Sequence, residues 1–207
     1  MGLFKNFINQ TRKPEGFLGK IILKGMNFGH AKVAEWGMSH LQTITPQKIL
    51  DIGCGGGRNA AELLKKYSDS KVTAIDYSPL AVEEATSYNK QAIEGKRCFV
   101  QQGDVSSLEF DNGSFDLITA FETVYFWPGI EKCFTEVFKV LKTGGCFMIL
   151  NECDGVDSVG KKFEEMIEGM KAYTADEIKT ALTTVGFTNI KIIHHKENPW
   201  ICVIAEK

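Results

Sequence analysis

Three acids close apolar runs in the first half of the chain. They are Asp51 in "KILDIGCGGGR" (48–58), Asp76 in "KVTAIDY" (71–77) and Asp104 in "RCFVQQGD" (97–104). Behind the first acid, four glycines fall within residues 53–57, and a helical pattern begins at once with "RNAAELLKKY". Glycine permits a tight exit from a strand and leaves backbone open to close approach, which suits a small charged ligand at a helix start. The dinucleotide fingerprint G-x-G-x-x-G does not fit that ligand site. With its first glycines at Gly53 and Gly55, the third falls on Arg58, whose side chain would block helix–strand packing. A phosphate loop ending Gly-Lys-Ser/Thr is also absent.

The elements that hold these acids alternate. Strands are expected at 48–53, 71–77, 97–104, 115–121 and 146–152, with helices at 58–67, from Ser78-Pro79 to about 94, and at 129–142, the last stopped by Gly144-Gly145. A helix over 174–186 carries a capping box, Thr174 with Glu177, and ends on Gly186. Two last strands, 189–196 and 200–206, are joined by a link so short that they must be antiparallel. The early strands are almost continuously apolar, as in a parallel sheet covered on both faces. The expected fold is a doubly wound α/β, Rossmann-like, mostly parallel seven-stranded sheet with a C-terminal antiparallel hairpin. Ligands in such sheets sit beyond the carboxyl ends of the strands. Residues 1–47 form a separate N-terminal helical cover. Its residues 29–41 place Val33, Ala34, Gly37, Met38 and Leu41 on one helical stripe, and 1–28 read as a loose Gly- and Lys-rich cover. Residues 48–207 form the core.

"LDIGCGGGR" resembles the first motif of the class I S-adenosylmethionine-dependent methyltransferases, small-molecule type. "AIDYSPLAVEEA" (74–85), "QGDVSSLEF" (102–110), "FDLITAFETVYFW" (115–127), "LKTGGCFMI" (141–149) and "YTADEIKTALTTVGF" (173–187) resemble the later motifs, in order and spacing. The resemblance implies S-adenosyl-L-methionine as cofactor and methyl transfer as the activity. It implies that Gly53 and Gly55 meet the methionine end, with Asp51 near the ammonium. Asp76 would grip the ribose, Tyr77 lie on the adenine face, Asp104 accept from the adenine amine, and Val105 supply backbone. Phe121 joins this cofactor set. Arg58 would reach the cofactor carboxylate or remain a solvated first-turn residue.

At the acceptor side, the amine-methylating signature Asn/Asp-Pro-Pro-Tyr/Phe is missing and "FETVYFW" stands in its place. Tyr125, Phe126 and Trp127 are candidate acceptor contacts, with Phe28 and Trp36 from the leader. Glu122 is the best-placed carboxylate for a base or for orienting an acceptor, if it is not simply a helix-start acid. His30 is a second candidate if the leader folds over the site, against a purely structural role; His194 and His195 read as structural. A metal site would have to use Asn151, Glu152 and Asp154, a thin set, so no metal is expected. The acceptor is expected to be small and partly apolar, its reacting atom left open. A non-catalytic cofactor-binding regulator and a nicotinamide oxidoreductase are the competing readings.

The totals agree with this picture. The chain has 207 residues, enough for one domain with a sizeable core. A net charge of −2 without like-charge blocks argues against nucleic acid as the main partner. The six cysteines are scattered without a C-x-x-C pair and read as buried, reduced thiols. No apolar run is long enough to span a bilayer, and the N-terminus lacks the apolar core of a secretory signal. The Met-Gly start fails the myristoylation pattern because residue 6 is Asn. A cytoplasmic monomer or homodimer is expected.

Overall fold

In the computed structural model, residue 14 and residues 16–207 are described, and the part of the expected cover before Pro14 lies outside them. Strands β1 (Lys48–Ile52), β2 (Lys71–Asp76), β3 (Cys98–Gln102), β4 (Phe115–Phe121), β5 (Leu141–Asn151), β6 (Thr188–His194) and β7 (Ile201–Glu206) form one sheet in the order β3-β2-β1-β4-β5-β7-β6. β1 to β5 pair in parallel, and β7 runs antiparallel between β5 and β6. The strand order reverses between β1 and β4, and the crevice there opens past the carboxyl ends of both strands.

Two apolar cores cover the sheet faces, as the unbroken strand hydrophobicity requires. One is built around Leu50, Ile118, Phe134 and Phe147 and is closed by helices α6 (Ile130–Val140) and α8 (Ala175–Val185). The other holds Ile49, Leu63, Leu117 and Met148 under α2 (Ala31–Ser39), α3 (Arg58–Lys66) and α4 (Pro79–Tyr88). Burying a side chain such as Phe134 or Leu117 contributes about 1.5–3 kcal/mol. Gly37 of α2 lies so close to β5 that an added Cβ would stand 2.7 Å from the Leu150 side chain. The expected capping box forms at α8: Thr174 accepts from the Glu177 N–H, while Glu177 accepts from the Thr174 N–H.

Several expected elements differ. Helix α1 (Gly16–Gly29) runs through what the sequence suggested was a loose cover. It is anchored because Ile22 and Leu23 are buried and Lys20 pairs with Glu83 and Glu84 of α4. A turn at His30 separates it from α2, so the stripe over 29–41 begins later than expected. The helix after Ser78 ends at Tyr88 and a short α5 (Lys90–Glu94) follows. Asn89 makes that break: its side-chain amide is buried and donates to the carbonyls of Gly57 and Ala85. α6 stops at Val140, and β5 begins five residues early because Leu141 pairs with Phe115 across a bulge. Helix α7 (Ser158–Met166) was not anticipated; Asp157 caps it by accepting from the Val159 and Gly160 N–H groups. All six cysteines are buried and free. No helix among the described residues is long and apolar enough to cross a membrane.

Candidate active site

A cavity of about 310 Å³ opens at the carboxyl ends of β1, β2 and β4. Its floor is the glycine turn. Gly53 has φ +73°, and a Cβ there would run into the Thr123 side chain at the end of β4. Gly55 has φ +51° but faces open space, with only Leu23 Cδ2 at 3.9 Å. The first glycine is therefore demanded by close approach of two strand ends, and the second by its left-handed backbone. The N–H groups of Gly53 and Gly55 are already used: one donates to Ile75 O at 2.8 Å, the other to Asp76 Oδ2 at 2.9 Å.

Asp76 stands at the end of β2, where it also accepts from the Ser78 N–H at 2.9 Å. Burial raises its pKa, although these backbone donors work against that shift. Tyr77, Asp104 and Val105 line the cavity wall beside it. Asp104 Oδ1 accepts from the Ser106 N–H at 2.8 Å, which fixes the carboxylate after β3. Gly53, Gly55, Asp76, Tyr77, Asp104, Val105 and Phe121 are thus brought to one cavity.

Asp51 and Arg58 are not among the residues lining it. Asp51 lies beneath the glycine turn, opposite Thr119 in the β1–β4 ladder, and accepts from Thr119 Oγ1 at 2.8 Å. Its other oxygen is buried without a partner. Burial pushes its carboxyl up to about 7, with Asp76 adding to the shift and Thr119 opposing it. Arg58 turns the other way and pairs with Glu35 of α2 at 2.7 Å, an interaction the sequence pattern did not show.

The opposite end of the cavity is walled by Phe121, Phe126 and Trp127. Trp127 stacks on Phe147 with ring centroids 6.2 Å apart and an interplanar angle of 10°, so the wall is tied to the core. Glu122, at the end of β4, has φ +56°, an uncommon backbone for a non-glycine residue. Its N–H still donates to Leu150 O, continuing the ladder to β5. Its carboxylate accepts from Tyr125 Oη at 3.2 Å, and that phenol oxygen in turn accepts from the Cys153 N–H at 3.0 Å. Burial pushes Glu122 up to about 8, helped by nearby Glu152 and resisted by His30 and Tyr125. His30 does fold over the site, with Nε2 3.5 Å from Glu152 Oε1. Burial opposes its charge, but Glu152 and Glu122 outweigh burial and raise its pKa.

Three candidate acceptor contacts lie elsewhere. Tyr125 is buried behind Glu122 rather than in the cavity wall. Trp36 packs against His40, His195 and Trp200. Phe28 points outward, 85% exposed. Lining contributions that sequence reasoning missed include Leu23 and Asn27 of α1, which with Met26 of the leader close over the glycine turn, and Asn27 donates to Gly56 O at 3.3 Å. Helical spacing of Leu23, Met26, Asn27 and His30 was the available signal.

Residues 49–145 match the family described as methyltransferase domain. The sterol 24-C-methyltransferase of Debaryomyces hansenii is 30% identical over 157 residues, which cover 71% of this chain and 41% of that protein. The chain spans about two-fifths of the length of this curated relative. Among solved structures, a SAM-dependent methyltransferase from Aquifex aeolicus aligns with TM-score 0.74 and 19% identity, covering 88% of this chain and 95% of that one. The geranyl diphosphate C-methyltransferase of Streptomyces coelicolor aligns with TM-score 0.72 and 15% identity, covering 85% and 75%.

Proposed function

We propose, because the chain belongs to the class I S-adenosylmethionine-dependent methyltransferases, that it moves a methyl group from S-adenosyl-L-methionine to a small, partly apolar acceptor. The observation that carries this reading is a single cavity joining strand-end carboxylates at one end to an aromatic wall with Glu122 and His30 at the other. The residues fit the cofactor chemically. Asp76 has acceptor capacity left for ribose hydroxyls after its two backbone donors, since an ionised carboxylate offers about four lone-pair sites. Asp104 can accept from the adenine amine, with Tyr77 and Val105 against the ring. Because the N–H groups of Gly53 and Gly55 are spent within the protein, the turn suits the ammonium more than the carboxylate of the methionine end. Once ionised, as pH rises through about 7, Asp51 acts on that ammonium through its field, from beneath the turn.

A sulfonium is a good leaving group, so the enzyme's main task is to hold acceptor and methyl in line. The new bond forms between the acceptor atom and the methyl carbon as the carbon–sulfur bond breaks. That electron pair stays on sulfur and leaves S-adenosylhomocysteine. Where the acceptor carries a proton on its reacting atom, ionised Glu122, the form that gains as pH rises through about 8, or neutral His30 receives it. Helix α1 covers the cavity and keeps water from the transferring methyl. The described part of the leader, from Gly16 on, serves as that cover and 48–207 as the cofactor-binding core.

The test is calorimetry with S-adenosylmethionine and S-adenosylhomocysteine, followed by mass spectrometry of a metabolite extract incubated with the purified chain. One site for both nucleosides and small apolar compounds gaining one methyl are expected. Absence of binding to either nucleoside would overturn the reading.

A further inference from the structure

The set weighed from sequence for a metal does not assemble. Asn151 is buried, and Asp154 spends Oδ1 on the Val156 and Asp157 N–H groups. The fold gathers a different set. Ligand-type atoms of His30, Glu122 and Glu152 all lie within 4.8 Å of one another. Each comes from a different place: the α1–α2 junction, the residue after β4 and the residue after β5. The two carboxylates meet because β4 and β5 are neighbours in register, Phe121 opposite Leu150. Two carboxylates this close disfavour each other's charge unless a cation, protonated His30 or a metal ion, lies between them.

A second observation points to a ligand. Glu122 Oε1 is shut off from solvent and has no hydrogen-bond partner, while Oε2 is held by the Tyr125 hydroxyl. A buried carboxylate whose donors are only the Tyr125 hydroxyl and the backbone N–H of Glu152, with Oε1 making no well-formed bond, is under-compensated. The carboxylate is nevertheless fixed in place, since Tyr125 is itself clamped by the Cys153 N–H.

We propose that His30, Glu122 and Glu152 bind a divalent transition-metal ion at the acceptor end of the cavity. One imidazole and two carboxylates suit Zn²⁺, Co²⁺ or Mn²⁺, whereas an imidazole disfavours Ca²⁺ and Mg²⁺. Tetrahedral ligands at about 2.1 Å from an ion are about 3.4 Å apart, close to the 3.5 Å between His30 Nε2 and Glu152 Oε1. Three protein ligands leave at least one coordination position open. Since His30 and Glu122 line the cavity, an acceptor bound there would be within reach of that position. The role of the ion rests on the methyltransferase reading: it would hold the acceptor's oxygen, nitrogen or sulfur and favour the deprotonated form of that atom. Glu122 and His30 then serve as ligands in place of a free base.

Metal-free full-length chain is titrated with Zn²⁺ against a chromogenic chelator, and with Co²⁺ by visible absorption. One ion per chain and ligand-field bands of Co²⁺ are expected. His30→Gln, Glu122→Gln and Glu152→Gln should each weaken Zn²⁺ binding by about tenfold or more, with circular dichroism confirming the fold, while His195→Ala leaves it unchanged. Zn²⁺, Co²⁺ and Mn²⁺ all failing to bind the native chain more tightly than the triple variant would overturn the proposal. So would Zn²⁺ binding that survives all three substitutions. S-adenosylmethionine binding measured on the same metal-free sample separates the two ideas, since its loss strikes the methyltransferase reading and its retention without metal binding strikes only the ion.

Discussion

Replacing Asp51 with Asn tests whether the carboxyl beneath the glycine turn is a stored electrostatic cost. The native carboxyl titrates at about 7 against an ordinary value of 3.8. Between those two pH values the folded chain holds a proton that the unfolded chain has released. Stability contributed at this position is therefore fully present below about pH 4, falls as pH rises, and levels off above about pH 7. A difference of about three pKa units corresponds to about 4 kcal/mol at most. The groups facing Asp51 do not alter the sign. Asp76 pushes in the same direction, and the Cys54 and Cys98 thiols, raised by burial with Cys98 at about 11, stay neutral throughout. Asparagine keeps the volume and can still accept from Thr119 but cannot ionise. Urea unfolding of both chains from pH 4 to pH 8 gives the readout. The stability of the native chain relative to Asp51→Asn should drop by a few kcal/mol across the range, since carboxylates elsewhere cancel in the difference. A difference that stays constant with pH would refute the reasoning.

Three further outcomes follow from the cavity. Asp76→Ala should weaken S-adenosylmethionine and S-adenosylhomocysteine alike by about 2–4 kcal/mol if two charge-assisted bonds go; unchanged affinity by calorimetry in a folded variant would remove the ribose assignment. Gly55→Val should cost about 1–3 kcal/mol of stability for a branched residue at φ +51° and abolish cofactor binding, because its side chain enters the open space above the turn; normal binding in the folded variant would contradict this. Deleting residues 1–28 removes Leu23, Met26 and Asn27 from the cavity roof, so turnover should fall by about a hundredfold or more while weakened cofactor binding persists; full turnover on a small acceptor would rule the cover out.

The cofactor end was readable because it is local. A strand, an acid and a glycine turn fall within a dozen residues, and an acid recurs at or just past the ends of β2 and β3, so Asp76 and Asp104 could be placed by counting from strand ends. Asp51 and Arg58 show the limit of that counting. Both sit in the motif, yet their side chains are settled by partners far away in sequence: Thr119, 68 residues on, and Glu35, 23 residues back. A side chain's direction at a strand end or first helical turn depends on which neighbour competes for it, and no local pattern encodes that competition. The same holds for Asn89, whose amide breaks a helix by reaching Gly57 from 32 residues away.

The acceptor end is non-local throughout. Glu122 was identifiable as the residue after β4, but its surroundings are set by the pairing of β4 with β5 and by the turn between α1 and α2. Glu152 was visible only as one of several acids after β5, and the sequence grouped it with Asn151 and Asp154. Strand alternation explains why that grouping fails: successive side chains point to opposite sides, so Asn151 is driven into the sheet's core while Glu152 emerges toward His30. Helix α1 hid for a related reason. Gly16, Gly19, Gly25 and Gly29 give it poor intrinsic propensity, and its helicity comes from burying Ile22 and Leu23 against the α4 side of the fold, with Gly19 admitting Leu80 at a distance where a Cβ would stand 2.9 Å from Cδ2. Glycines that weaken the isolated helix are what let it lie close enough to roof the cavity.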